Sequence, residues 1–423
     1  MIMRDAARSL LKDLDRAICY WIVFVLSSMF MYLFFHISLS EAIGVTYIYG
    51  KNDLPTYLTT FDVMICMIVV FLANDFYVKK KSRELAVILM CGGTYGQLVK
   101  FLIVQTGILM AISIPIGILL GRICFPLVGL LLNHMAGYEV EISSGHEAAV
   151  FTTIIIIMEV FWCTFVNLGY CYRNSIYSLL QGEEKIKVKM PWRVELKGIQ
   201  KIRQAMKAVW LLLYFGCAFL LFSCGEVPER IPLLGVIGVI GLWQTIDKVI
   251  LPWLEDGSWN QWCEDGEKLV YMGLFREDLK MAKLYITLFI FTANLLCALM
   301  AGRIHQWEES VLCLLSFSII IPLLSLSLLF RFATESAGRK RQLGTLLKIG
   351  YTQKQLDKII EKESLCLYGF IMVTSLVYIL NIVIVLGMYR LVPLEIGGTI
   401  IAIFVVSLTV CGGLSCIYNS KRD

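Results

Sequence analysis

Ten stretches of about 20 mostly apolar residues follow one another along this chain, and that length matches the hydrocarbon core of a bilayer crossed by a helix. They are residues 17–37, 58–78, 101–120, 148–170, 208–224, 231–246, 284–301, 311–330, 365–388 and 399–418. Lipid offers the backbone no hydrogen-bond partner, so a lone run of this length must satisfy itself as a helix. The expected fold class is therefore an all-α membrane protein with about ten transmembrane helices. Composition agrees: of 423 residues 58% are apolar and 17% charged, with a mean hydropathy of +0.73, beyond the range of soluble domains. The fifth and sixth runs are short, and residues 225–230 between them offer a turn, so they read as a helical hairpin.

Between the second and third runs stands RELAVILMCGGTYGQLVK, residues 83–100, and between the eighth and ninth stands RQLGTLLKIGYTQKQLDK, residues 341–358. Eight of the eighteen positions are identical: Arg83/Arg341, Leu85/Leu343, Leu89/Leu347, Gly92/Gly350, Thr94/Thr352, Gln97/Gln355, Leu98/Leu356 and Lys100/Lys358. Each copy follows a basic cluster, Lys79-Lys80-Lys81 or Arg339-Lys340-Arg341, and runs into the next apolar stretch. This is an internal repeat. In each copy a helix with leucines at i and i+4 ends at Gly92 or Gly350, where a left-handed C-terminal residue suits glycine. A second helix starts behind Thr94 or Thr352 as N-cap. The pattern predicts helix, tight turn, helix at a membrane surface: two knuckles on one side.

Amphipathic segments at 1–16 and 269–283 precede the first and seventh runs and read as interfacial helices. The layout is then a first repeat over residues 1–180, with spans 1–4 and a knuckle at 82–100. A cytoplasmic linker and two-span hairpin follow over 181–260, and a second, parallel repeat over 261–423, with spans 7–10 and a knuckle at 340–358. With the N-terminus inside, 33 of the 38 Lys and Arg fall on inner segments, leaving Lys51, Arg122, Arg230, Arg303 and Arg390 outside. That is a strong positive-inside bias, placing both termini and both knuckles in the cytoplasm. The net charge of +5 follows from this topology and argues for contact with anionic lipid rather than nucleic acid. The first run has no small-residue cleavage site after it and reads as a span.

Outer loops are too short for a folded external domain. Most of the 14 cysteines lie in apolar runs, with no CxxC or Cys/His spacing, so neither a disulfide framework nor a zinc site is expected. Trp253, Trp259 and Trp262 read as an inner aromatic belt. The four histidines lie at or beyond the outer ends of spans. No HExxH, GxSxG or intramembrane carboxylate pair suggests catalysis, and the absence of GxxxxGK[ST] leaves no phosphate cradle. The chain is not expected to be an enzyme.

The motif R-[EQ]-L-x3-L-x2-G-x-T-x2-Q-L behind a basic cluster, with a span following, resembles the FtsX-like permease family of ABC transporters. The four-plus-two-plus-four layout is similar to ten-span bacterial permeases of antimicrobial-peptide resistance and detoxification systems. Their large extracellular domain would fall between spans 7 and 8, where this chain has only AGRIHQWEES, residues 301–310. The resemblance implies a multi-pass protein of the bacterial cell membrane whose knuckles are coupling helices entering clefts on two copies of a separate ATPase subunit. ATP and Mg would be held by that partner, and this chain would need no cofactor of its own. Residues implied in coupling are Arg83, Leu85, Leu89, Gly92, Thr94, Gln97, Arg341, Leu343, Leu347, Gly350, Thr352 and Gln355. The implied function is extraction or export of an amphipathic antimicrobial peptide or a lipid-linked substrate. The alternative is a signalling subunit that transmits ATPase motion to an external hydrolase or to a sensor histidine kinase.

One charged residue falls mid-span: Glu159, in IIIIMEVFW, where a charge costs about 2.5–3.5 kcal/mol on insertion scales. It is expected to face the bundle interior. It reads either as part of a substrate cavity or as a protonated carboxyl hydrogen-bonded to Asn167 or a serine. Gly117 and Gly121 form a GxxxG for close helix packing, and Pro115 and Pro126 are expected to bend the third span.

Overall fold

The computed structural model describes residues 8–10, 14–39, 54–136, 146–174, 197–223, 230–255, 266–301, 307–390 and 392–420. The described residues are helical, joined by turns, and contain ten helices long and apolar enough to cross a membrane. They group into two compact units, Met1–Met190 and Pro191–Asp423.

The first unit holds α1 (Leu14–Ser38), α2 (Leu54–Lys80), the short α3 (Ser82–Met90), α4 (Tyr95–Ala136) and α5 (Glu147–Arg173). Helix α1 is its centre, packing on α2, α4 and α5. Along the α1–α4 seam Ser28 meets Gly117, Tyr32 meets Gly121, and the His36 ring stacks on Phe125 at 3.9 Å. Both series advance by four residues in the same direction, so α1 and α4 run parallel with ridges aligned. A Cβ on Gly117 would lie 1.8 Å from Ser28 Oγ, and one on Gly121 2.6 Å from the Tyr32 ring. The expected GxxxG contact is thus made against α1, with van der Waals packing rather than water exclusion as the driving force. Pro115 and Pro126 both lie inside α4, which continues through them for 42 residues.

The second unit holds α6 (Lys197–Ser223), α7 (Arg230–Thr245), a π turn (Ile246–Ile250) and α8 (Leu251–Glu255). It continues with α9 (Gly266–Ala301), α10 (Trp307–Ile349), α11 (Gln353–Met388) and α12 (Leu394–Ser420). Here α9 packs on α10 and α11, and α12 on α10 and α11. The α9–α11 seam runs from Phe275 against Phe370, rings 5.8 Å apart, to a pocket shared by Cys297, Met300, Val383 and Gly387, so these helices are again parallel. The hairpin of α6 and α7 belongs to this unit. Asn381 donates to Ala218 O at 2.9 Å, Tyr389 to Phe222 O at 2.8 Å, and Asn294 to Pro232 O at 3.5 Å.

One of the two interfacial segments differs from expectation in form. Residues 269–283 are not a separate helix but the first turns of α9, a single helix of 36 residues. Of residues 1–16, the described Arg8–Leu10 stretch is helical, while 1–7 and 11–13 lie outside the described residues, as do Trp259 and Trp262.

Candidate functional site

The two knuckles share one local construction. In the first, Gly92 has φ +87°, its N–H bonds to Leu89 O at 3.1 Å, and the Gly93 N–H bonds to Ile88 O at 3.0 Å. In the second, Gly350 has φ +115°, its N–H bonds to Leu347 O at 3.1 Å, and the Tyr351 N–H bonds to Leu346 O at 3.2 Å. Both are Schellman ends, which need a left-handed residue at the glycine position. Each is followed by a capping box. The Thr94 N–H donates to Gln97 Oε1 at 3.0 Å and the Gln97 N–H to Thr94 Oγ1 at 3.3 Å. Thr352 and Gln355 make the same reciprocal pair. The repeated Gly, Thr and Gln are therefore explained by turn chemistry.

The leucines are less alike. Leu85 and Leu98 are buried, and Leu89 is only 9% exposed; all three belong to the core of the first unit. In the second copy Leu356 is buried and Leu343 half-buried, but Leu347 is 44% exposed. The exposed apolar tips are Val87 and Met90 in the first knuckle and Leu347 and Ile349 in the second. The carriers differ too. Helix α3 is set off from α2 at Lys81, whereas the second knuckle is the uninterrupted end of the 43-residue α10. The Arg83 and Arg341 side chains lie outside the described ones.

Of the first basic cluster only Lys81 is buried in the unit. Lys79 pairs with Asp75 at 2.7 Å, and Lys80 lies 5.2 Å from the centre of the Phe76 ring. Lys81, 2% exposed, bonds both Glu84 oxygens at 3.0 and 3.1 Å and Ser9 Oγ at 3.3 Å. Ser9 in turn donates to Glu84 Oε2 at 2.9 Å, tying the N-terminal turn to α3. Composition gave no sign of this clasp, since it needs an acidic residue three places on from the lysine and a serine 72 residues before it.

Glu159 is 3% exposed and faces the interior of the first unit, as the cost of a lipid-facing charge requires. Its Oε1 has no hydrogen-bond partner among the described residues. Asn167, one of the partners expected from sequence, is bonded instead to Asn74, whose Nδ2 donates to Asn167 Oδ1 at 2.8 Å. Around Glu159 are Ser27 and Ser28 of α1 and Ser113 of α4, in a tightly packed pocket otherwise lined by apolar side chains. The described residues hold no group of three or more His, Cys, Asp or Glu placed for a metal ion. No family model and no curated protein matches this chain.

Proposed function

We propose that the chain is the permease subunit of an ABC transporter, coupling ATP hydrolysis by a separate ATPase to extraction or export of an amphipathic peptide or lipid-linked molecule from the membrane. In this reading its two four-span halves are parallel repeats, each carrying one knuckle into a cleft on one of two ATPase subunits. The observation that carries it is the duplicated Schellman-plus-capping-box turn, each copy entering a membrane-length helix and each with exposed apolar side chains at its tip. Turn chemistry accounts for the glycine, threonine and glutamine; it does not account for apolar residues left exposed beside charged loops, which suit a protein partner. Shared neighbour pairs add support: first helix on second and third, fourth on second and third, in both units.

The test is co-purification with a candidate ABC ATPase subunit co-expressed with this chain. Val87→Asp with Met90→Asp, and separately Leu347→Asp with Ile349→Asp, are each expected to cut ATPase recovery at least about tenfold, the order of loss when an interface anchor worth about 1.4 kcal/mol or more is removed. Undiminished recovery from both double variants, with the chain still folded, would overturn the coupling assignment.

A further inference from the structure

We propose that the two knuckles are mechanically unequal: the first is a preformed dock fixed in its unit, whereas the second presents a compliant α10 end that is ordered by its protein partner. This deepens the coupling reading above and rests on it for the partner, but the contrast in rigidity belongs to the chain alone.

The two turns are built alike, so the difference lies in what holds the helix ahead of each. Helix α3 has nine residues, fewer than the about 12–15 an isolated helix needs in water, so its stability comes from packing. Leu85, Ala86 and Leu89 lie in the first unit's core, and Leu10 of the N-terminal turn packs against that core. The clasp of Lys81, Glu84 and Ser9 fastens the start of α3 to the same N-terminal turn. Past the turn, the rings of Tyr95 and Tyr172 stack at 5.6 Å and tie the first residue of α4 to the last turn of α5. The first knuckle is thus held at both ends and along its inner face.

The matching positions of the second copy carry none of these groups. The register of 83–100 on 341–358 sets Gln342 opposite Glu84, Gly344 opposite Ala86 and Gln353 opposite Tyr95. No carboxylate stands there for a clasp and no ring for a stack. Gly344 puts the poorest helix former short of proline inside α10, and nothing lies within 4 Å of a Cβ built on it, so packing does not demand a glycine. Leu347 and Ile349 are 44% and 69% exposed, against 0% and 9% for Leu85 and Leu89. Beyond the turn the second copy is braced: Leu356 and Ile359 are buried, and the Tyr351 hydroxyl lies 2.9 Å from a Cβ built on Gly266. Compliance is therefore confined to the last two turns of α10. Covering Leu347 and Ile349 with a partner's apolar surface would order those turns, at a cost in affinity. A partner that changes shape keeps hold of both knuckles, because the second follows while the first stays in place.

Hydrogen exchange on the full chain in phosphatidylcholine nanodiscs, with no partner present, tests this. It compares the amides of Leu89, Met90 and Cys91 with their equivalents Leu347, Lys348 and Ile349. After correction for intrinsic rates, the first set is expected to be protected at least about tenfold more strongly. Gly344→Ala is expected to raise protection of the second set about fourfold, the alanine–glycine difference in helix propensity, and to leave the first set unchanged. Ser9→Ala, which keeps the Lys81–Glu84 pair, is expected to lower protection of the first set about threefold and to leave the second unchanged. Equal protection of the two sets overturns the proposal, and so does a second set that does not respond to Gly344→Ala. Neither outcome bears on whether an ATPase binds, which co-purification reads separately.

Discussion

Asn74 donates from Nδ2 to Asn167 Oδ1 at 2.8 Å, joining α2 to α5 across 93 residues of sequence, while Tyr20 of α1 donates to Asn74 Oδ1 at 2.9 Å. Three helices thus meet at one amide. All three side chains are buried, and Tyr20 also stacks on Tyr77 with ring centres 4.8 Å apart. This pairing gives Asn167 a partner other than Glu159.

The amide network makes Asn74 the costlier residue to lose. Asn74→Leu strips partners from both Tyr20 and Asn167, with an expected cost of about 1–3 kcal/mol. Asn167→Leu removes the reciprocal bonds to Asn74 alone, at 2.8 and 3.4 Å, and is expected to cost nearer 0.5–1.5 kcal/mol, roughly the membrane range. Thermal unfolding in detergent orders the two variants, and the double variant falls short of their sum because they share a bond. Equal losses would mean that Tyr20 finds another acceptor.

At the knuckles, the two left-handed glycines carry a conformational rather than a steric demand, since nothing lies within 4 Å of a Cβ built on either. Gly92→Ala and Gly350→Ala are each expected to destabilise by about 1–2 kcal/mol. Asparagine, which tolerates this region, is expected to cost less. Hydrogen exchange at the turn amides of Gly93 and Tyr351 reads the effect locally. Alanine and asparagine behaving alike would contradict the assignment.

The equivalent leucines of the repeat should behave differently. Leu89→Ala opens a hole in the first unit's core and is expected to cost about 2–5 kcal/mol. Leu347→Ala acts on an exposed side chain and should stay within about 0.5 kcal/mol. Unfolding midpoints of the isolated chain distinguish them. This is also why the partner test above uses Val87 and Met90, because charge at Leu89 would unfold the unit before it reported on binding.

Those leucines mark where sequence reading stops. Spans were legible because bilayer thickness imposes a length, and the turns were legible because Gly92 and Thr94 have local geometric jobs that recur in Gly350 and Thr352. Which face of α3 turns inward depends on where α1 and α4 lie, and eighteen residues carry no record of that. The same holds for Lys81, one of three consecutive lysines in the sequence, which Glu84 and Ser9 enclose. Glu159 was legible as an inward-facing charge on cost alone, but its serine neighbours come from helices more than 40 residues away.

Orientation rests on the Lys and Arg distribution and is tested with a native residue. Cys91 is exposed at the end of α3. In a chain with the other cysteines replaced by serine or alanine, an impermeant thiol reagent is expected to leave Cys91 unlabelled in intact cells and to label it after permeabilisation. Labelling in intact cells would place the first knuckle outside and reverse the topology.

The π turn of the second unit has an identifiable cause, and from it a last prediction follows. Pro252 has no N–H for Lys248 O, and its ring crowds that carbonyl, so a regular helix cannot pass this point unstrained. Widening Ile246–Ile250 into a π turn accommodates it. The widening also sets the register of the side chains it carries. Asp247 meets Lys283 of α9 at 2.6 Å, Lys283 lies 4.4 Å from the centre of the Trp243 ring, and Lys248 lies 4.8 Å from that of Trp210 on α6. One turn thereby fastens the hairpin on both sides. Pro252→Ala is expected to let the helix re-form and to rotate Asp247 away from Lys283, although alanine is the better helix former. A double-mutant cycle between Asp247→Asn and Lys283→Met should give a coupling of about 0.5–1 kcal/mol in the parent chain, the range of a partly exposed pair. The same cycle in the Pro252→Ala background should give close to zero. An undiminished coupling there would show that the π turn is set by the ion pair and not by the proline.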